Sequence, residues 1–264
     1  MLIDSHVHIG ERNMCKKIVE TSPYRNYYKA YSCINPDTVL ETKNFLKDVD
    51  YYYAIPLFFR ETTILENNLQ LLERIKGDEK AIPILLVSNN EDINSLLNII
   101  QYNILKEHFI MHDLETVEKR NMSYEYLNNQ NGFLLLHTLS KCTLSHIKYL
   151  RENFPNMNII LAHLGRNATA DYEYTTSVID TISKDDKMFT DISTIFDARL
   201  IRYAFDKMGK ERILYGSDFP FEVSPGVSEK DYLKYPMNTK LSSEEQEWLY
   251  YKSSENILKL TKKF

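Results

Sequence analysis

Short, dense apolar runs alternate along the chain with longer stretches in which apolar residues recur every three or four positions. The runs fall at residues 2–4, 52–59, 81–87 (AIPILLV), 103–109 (NILKEHF), 132–137 (GFLLLH), 158–163 (NIILAH), 188–193 (MFTDIS) and 212–218 (RILYGSD). Their length and apolar density are those of parallel strands buried on both faces. The intervening stretches predict helices over 36–47, 63–76, 91–100, 143–154, 169–182, 195–208 and 243–260. Asn35 is placed to cap the first, and Ser242-Ser243-Glu244-Glu245 opens the last with a cap and acidic residues in its first turn. A further helix is expected over the polar stretch 114–129. Eight strands alternating with helices predict an α/β fold, a single (β/α)8 TIM barrel spanning residues 1–264. Neither an internal repeat nor a low-complexity linker divides the chain. Residues 9–34 are long for a loop and are expected to cap the first strand and cover the pocket mouth.

Candidate chemistry gathers at the ends of the strand runs. On a strand, residues two apart share a face. His6 and His8 therefore turn two imidazoles toward one metal ion from the end of the first run, and Gly10 permits a sharp exit. His137 and His163 each occupy the last position of an apolar run. In a parallel barrel those C-terminal ends form the active-site face. Asp218 ends the last run, where a carboxylate can bind a metal and exchange protons with water. Its alternative role is to cap the following turn.

Four motifs now stand in order: DSHVH at residues 4–8, LLLH at 134–137, LAHLG at 161–165 and YGSDFP at 215–220. In that order and spacing the sequence resembles the amidohydrolase superfamily, and within it the amidohydrolase 2 (amidohydrolase-related) branch. The resemblance implies one divalent metal at the C-terminal face of the barrel. Zinc is expected, although manganese, iron or cobalt suit the same donors. It implies His6, His8, His137 and Asp218 as metal ligands. His163 would polarise the substrate or position the attacking water, and Asp218 and His163 would be the catalytic pair. Lys106 falls where binuclear members carry a carboxylated lysine bridging two metals. However, Lys106-Glu107-His108 also resembles the K-x-H of the branch, in which the lysine is generally no bridge. One metal is the favoured count and a second metal on Lys106 the alternative. Glu107 or His108 as an extra ligand or substrate contact is also open, but alternation puts Lys106 and His108 in the pocket, as candidate substrate-binding residues, and Glu107 on the opposite face. Arg166 and Arg60 are candidates for an anionic group on the substrate. Asp191 would orient a neighbouring ligand or cap the next helix, His112 is expected to be structural, and His146 is expected on a helix surface.

The implied activity is a metal-dependent hydrolase acting on a small amide, lactone or ester through a metal-activated water. A non-oxidative decarboxylase of a small aromatic acid is the alternative on the same site. A non-catalytic metal-binding barrel is disfavoured because all five polar positions are filled. A nuclease-like reading lacks the acidic motif expected at the fourth strand. Composition changes this picture little. The net charge of −5 gives no electrostatic reason for nucleic acid or an anionic membrane as a partner. Three scattered cysteines, Cys15, Cys33 and Cys142, make no disulfide framework and fit a reducing cytoplasm. The first residues lack a basic, then apolar, leader pattern, and no segment is long enough to span a membrane. A cytoplasmic enzyme with a small-molecule substrate is expected, with a homodimer left open.

Overall fold

The protein is described by a computed structural model over residues 1–10, 46–57, 62–108, 119–138, 143–167, 169–219, 221 and 239–263. Eight parallel strand positions are found there. They are β1 (Ile3–Ile9), β2 (Tyr51–Pro56), β3 in two pieces (Ala81–Pro83 and Leu85–Leu86), β4 (Ile104–His108), β5 (Phe133–His137), β6 (Asn158–Leu161), β7 (Met188–Asp191) and β8 (Ile213–Leu214). Each pairs in parallel with its successor. The ladder is irregular at two seams, and backbone hydrogen bonds bridge both. Between the pieces of β3, the Ile84 N–H donates to the Ala54 carbonyl at 2.9 Å. Between the last and first strands, Ser5 N–H donates to Tyr215 O (2.9 Å), Asp218 N–H to His6 O (2.8 Å) and His8 N–H to Phe219 O (2.7 Å). The strand order is therefore cyclic, that of a (β/α)8 barrel.

Around the strands lie α1 (Ile64–Arg74), α2 (Ile93–Ile99), α3 (Asn121–Asn129), α4 (Thr143–Asn153), α5 (Tyr172–Ile182) and α6 (Ala198–Met208). Their starts follow their caps. Thr63 and Glu66 close a capping box on α1, while Asp171 and Asp197 accept backbone N–H bonds at α5 and α6. The caps explain why α5 and α6 begin three residues later than apolar spacing predicts. The last predicted helix is present as α7 (Ser243–Glu247), a π turn (Trp248–Lys252) and α8 (Ser253–Thr261). Leu249 O, inside that turn, accepts the Tyr215 N–H at 3.0 Å and so fastens the end of β8. The predicted helix over 114–129 is seen as α3, and residues 114–118 lie outside the described residues. So do most of the predicted helix at 36–47, nearly all of the loop at 9–34, Arg60, His112 and the three cysteines. No helix among the described residues is long and apolar enough to cross a membrane.

Alternation along the strands builds the interior and then the site. Ile104 on β4 and Phe133 and Leu135 on β5 belong to an inner cluster with Tyr53, Ile55, Ile82, Ile84 and Ile160. Continuing the same rows toward the C-terminal ends, β4 reaches Lys106 and His108 and β5 reaches His137. Leu105, Leu134 and Leu136 point the other way, into the layer shared with the helices.

Three strands end earlier than their apolar runs predict. β6 stops at Leu161 rather than residue 163, β7 at Asp191 rather than 193, and β8 at Leu214 rather than 218. In each case the chain turns into left-handed backbone: His163 (φ 57°), Leu164 (φ 53°), Thr194 (φ 60°) and Asp218 (φ 58°). Each such residue costs about 1–3 kcal/mol, so the surrounding packing must hold it.

Gly165 continues the turn after His163 with φ 65°, and a Cβ there would lie 2.5 Å from Leu161 Cδ2 and 2.9 Å from Val178 Cγ1. Gly165→Ala is expected to lower stability by about 2–4 kcal/mol through backbone strain and overpacking together. Gly77→Ala is the comparison: φ is 80° but nothing lies within 4 Å, so backbone strain alone, about 1 kcal/mol, is expected. Urea unfolding midpoints of the two variants check this, and equal losses would show that the Leu161–Val178 contact gives way freely.

Candidate metal centre

Strand ends bring five of the predicted side chains into one buried cluster. Asp218 Oδ1 lies 3.5 Å from His6 Nε2 and 3.3 Å from His8 Nε2, and Asp218 Oδ2 lies 4.0 Å from His163 Nε2. His163 Nε2 is in turn 3.0 Å from His137 Nδ1. Two overlapping sets of donor atoms, His6–His8–Asp218 and His6–His163–Asp191, have spacings fit for a cation. His137 stands in neither set and reaches the cluster through His163.

Hydrogen-bond direction fixes how the rings are presented. Asp191 Oδ2 is 2.9 Å from His6 Nδ1. A carboxylate can only accept, so His6 carries its hydrogen on Nδ1 and turns the Nε2 lone pair toward Asp218. The other oxygen, Asp191 Oδ1, accepts from the His163 and Ser193 backbone N–H groups, both at 3.0 Å, and from the Ser193 hydroxyl. With its hydrogen given to Asp191, Ser193 Oγ can only accept from His163 Nδ1 at 2.7 Å, and the Ser193 carbonyl stands 3.2 Å from the same nitrogen. His163 therefore also carries its hydrogen on Nδ1 and presents Nε2 as a lone pair. Burial lowers the pKa of His6 and His8, brings His163 down to about 4, and with the neighbouring imidazoles holds His137 well below the usual histidine range. Burial would raise both carboxyls, but His6, His163 and the Ser193 hydroxyl together outweigh it at Asp191, and His163, His6 and His8 do so at Asp218, so both stay well below the usual carboxylate range. Neutral imidazoles and an ionised carboxylate with convergent lone pairs are the donor set of a divalent cation.

The faces of β4 divide as alternation predicts. Lys106 is fully buried, with Nζ 3.3 Å from His6 Nε2, and burial brings its amine down to about 8. The His108 ring stacks on that of His137, with centroids 4.2 Å apart. Glu107 faces outward and binds the Arg120 guanidinium (2.8 Å) and the Tyr124 hydroxyl (2.8 Å to each oxygen), with His146 Nε2 3.7 Å away. The expectation for His146 is thereby corrected: it is buried on α4 at 5% exposure, because its helix face packs over the Glu107 carboxylate. Arg166 is half-buried just beyond His163, donating from Nε to Thr194 Oγ1 at 2.8 Å and from a terminal nitrogen to Asn167 O at 3.1 Å.

Two contributors are not picked out by the sequence reading. Ser193 shares a face with Asp191, two residues earlier, a spacing visible in FTDIS. Asp4 Oδ1 accepts from His6 N–H (3.1 Å) and Ser217 N–H (2.9 Å), tying the first strand to the chain beyond the last, and burial raises its carboxyl to about 7.

Known proteins share this architecture. A crystal structure from Pseudomonas putida described as a 2-pyrone-4,6-dicarboxylic acid hydrolase aligns with a TM-score of 0.74 at 16% identity, covering 98% of this chain and 97% of that one. A zinc-bound amidohydrolase from Burkholderia multivorans aligns with a TM-score of 0.76 at 12% identity over 98% and 99% of the two chains. A 5-carboxyvanillate decarboxylase from Sphingomonas paucimobilis aligns with a TM-score of 0.67 at 11% identity over 98% of each. No curated protein matches the sequence. Residues 124–260, more than half of the chain, match the Amidohydro_2 family model, described as Amidohydrolase, and the chain accordingly belongs to the amidohydrolase 2 branch of the amidohydrolase superfamily.

Proposed function

We propose that the protein is a metal-dependent hydrolase that cleaves a small amide, lactone or ester. The observation carrying this reading is the approach of His6 Nε2 and His8 Nε2 to within 3.5 Å of Asp218 Oδ1, beside His163 and His137, at the C-terminal ends of the barrel strands. His6, His8, His137 and Asp218 would hold one divalent ion, zinc by donor type, with manganese, iron or cobalt acceptable. When bound, such an ion supplies a Lewis acid that makes water nucleophilic near neutral pH.

The chain's own residues do the rest. Asp218, ionised at neutral pH, takes a proton from the attacking water as its oxygen bonds to the carbonyl carbon. His163 and His137, joined through Nε2 and Nδ1 at 3.0 Å, would together orient that water. As the bond from carbon to the leaving nitrogen or oxygen breaks, Asp218 returns the proton to the leaving group. Arg166, which donates to Thr194 Oγ1, would receive an anionic substituent of the substrate. Decarboxylation on the same site is a second reading, favoured by the likeness to the 5-carboxyvanillate decarboxylase. Product analysis separates the two: carbon dioxide release from an aromatic acid replaces cleavage of an ester or amide.

Plasma mass spectrometry of protein purified without chelator should find one divalent ion per chain, lost in His6→Ala. No metal after reconstitution with several divalent ions would overturn the reading, and two per chain would bring Lys106 in as a bridge. Asp191→Asn, which removes the charge beside His6 and replaces one of the two accepting oxygens by a donor, is expected to weaken metal affinity by about 10–100-fold in a chelator competition. Asp218→Asn is expected to lower kcat by about 100-fold or more; a variant with undiminished kcat would exclude Asp218 as the proton carrier.

A further inference from the structure

Counting donors and acceptors around His6 leaves one group out of place in a cation site. His6 Nε2 and His163 Nε2 are lone pairs, because each ring's hydrogen is committed through Nδ1 to Asp191 or Ser193. Asp218 is an acceptor only. Lys106 Nζ, by contrast, brings hydrogens. It is fully buried, and among the described residues its one hydrogen-bond partner is His6 Nε2 at 3.3 Å. A lysine amine has hydrogens to donate whether charged or neutral, and a buried donor left without an acceptor is costly. Glu107, next in sequence, offers no relief. It faces the other side of β4, where Arg120 and Tyr124 already engage its oxygens.

We infer that Lys106 is the hydrogen-bond donor to the reacting carbonyl oxygen, which becomes anionic as water adds. The inference deepens the hydrolase reading and rests on it. It also separates two roles. His163, whose Nε2 accepts from His137 Nδ1–H at 3.0 Å, cannot donate to that oxygen, whereas Lys106 brings hydrogens that can. Any cation held by His6 Nε2 takes the lone pair that Lys106 now uses, and the amine hydrogens then need the new acceptor that the substrate oxygen provides.

Methylphosphonate, a small tetrahedral anion, serves as the probe. It is titrated calorimetrically into wild type, Lys106→Met, Lys106→Gln and Arg166→Met, each in zinc-loaded and chelator-treated form, with zinc per chain counted in every sample. Lys106→Met should keep its zinc and lose affinity about tenfold or more, the size of one charge-assisted hydrogen bond. Lys106→Gln, which retains a donor, should lose less, and it carries the test if the methionine variant does not fold. Unchanged affinity in both Lys106 variants, or a loss confined to Arg166→Met, would overturn the inference. Loss of zinc from Lys106→Met would overturn it in favour of a bridging lysine. Absence of zinc from every protein would count against the metal centre itself, while the chelator-treated titrations would still decide whether Lys106 binds the anion.

Discussion

Asp191 is a buried carboxylate with two oxygens, and the geometry of the centre depends on what each accepts. Oδ2 takes the hydrogen of His6 Nδ1, while Oδ1 takes the Ser193 hydroxyl and two backbone N–H groups. Because a carboxylate never donates, direction propagates outward from it. His6 is forced to face Asp218 with a lone pair, and Ser193, its hydrogen used, forces the same tautomer on His163. Burial then keeps both rings neutral. One side chain at the end of β7 thus sets the chemistry of two rings on other strands.

The backbone is bent to serve this arrangement. His163, Leu164, Thr194 and Asp218 adopt left-handed conformations at about 1–3 kcal/mol each, all at the C-terminal ends of β6, β7 and β8. Compensation comes from hydrogen bonds that the turned chain makes: Asp218 N–H to His6 O, His8 N–H to Phe219 O, and the Asp191 bonds to residues 163 and 193. The strand cores were legible in the sequence because burial on both faces leaves an unbroken apolar run, as in GFLLLH and NIILAH. Their ends were not. A left-handed turn at a histidine or aspartate is imposed by tertiary contacts and leaves no local pattern, so the reading carried β6, β7 and β8 too far. The histidines and Asp218 stood out because such residues rarely terminate apolar runs. Ser193 did not, since a serine is common at any strand end and its importance comes from Asp191 beside it. His146 misled because helical spacing says which face it shares but not that a carboxylate from another element lies beneath that face.

The two faces of β4 show how adjacent charges are kept apart. Glu107 and Lys106 are sequence neighbours of opposite sign, both buried, yet alternation sends them to opposite sides of the strand. On the outer side, Arg120 and Tyr124, one helical turn apart across the start of α3, satisfy Glu107, with His146 from α4 close by. Breaking such a buried pair is far costlier than forming it is favourable. The effect is specificity: Glu107 is fixed in its outer site, so the Lys106 amine is left to the pocket.

What gathers in that pocket is only partly held by attraction among its own members. His6 Nε2 and His8 Nε2 lie 3.5 and 3.3 Å from Asp218 Oδ1, and the tautomer at His6 aims a lone pair at the carboxylate. Lone pairs so placed repel unless something positive stands among them. Lys106 supplies part of this at 3.3 Å from His6 Nε2, but its burial disfavours its own charge. A divalent cation answers the same need with more charge and no hydrogens. Its binding energy would then appear in the stability of the fold, because the unfolded chain has no such preorganised set of donors. The strained strand ends and the converging lone pairs are two consequences of one requirement, that side chains from separate strands be held facing a common centre.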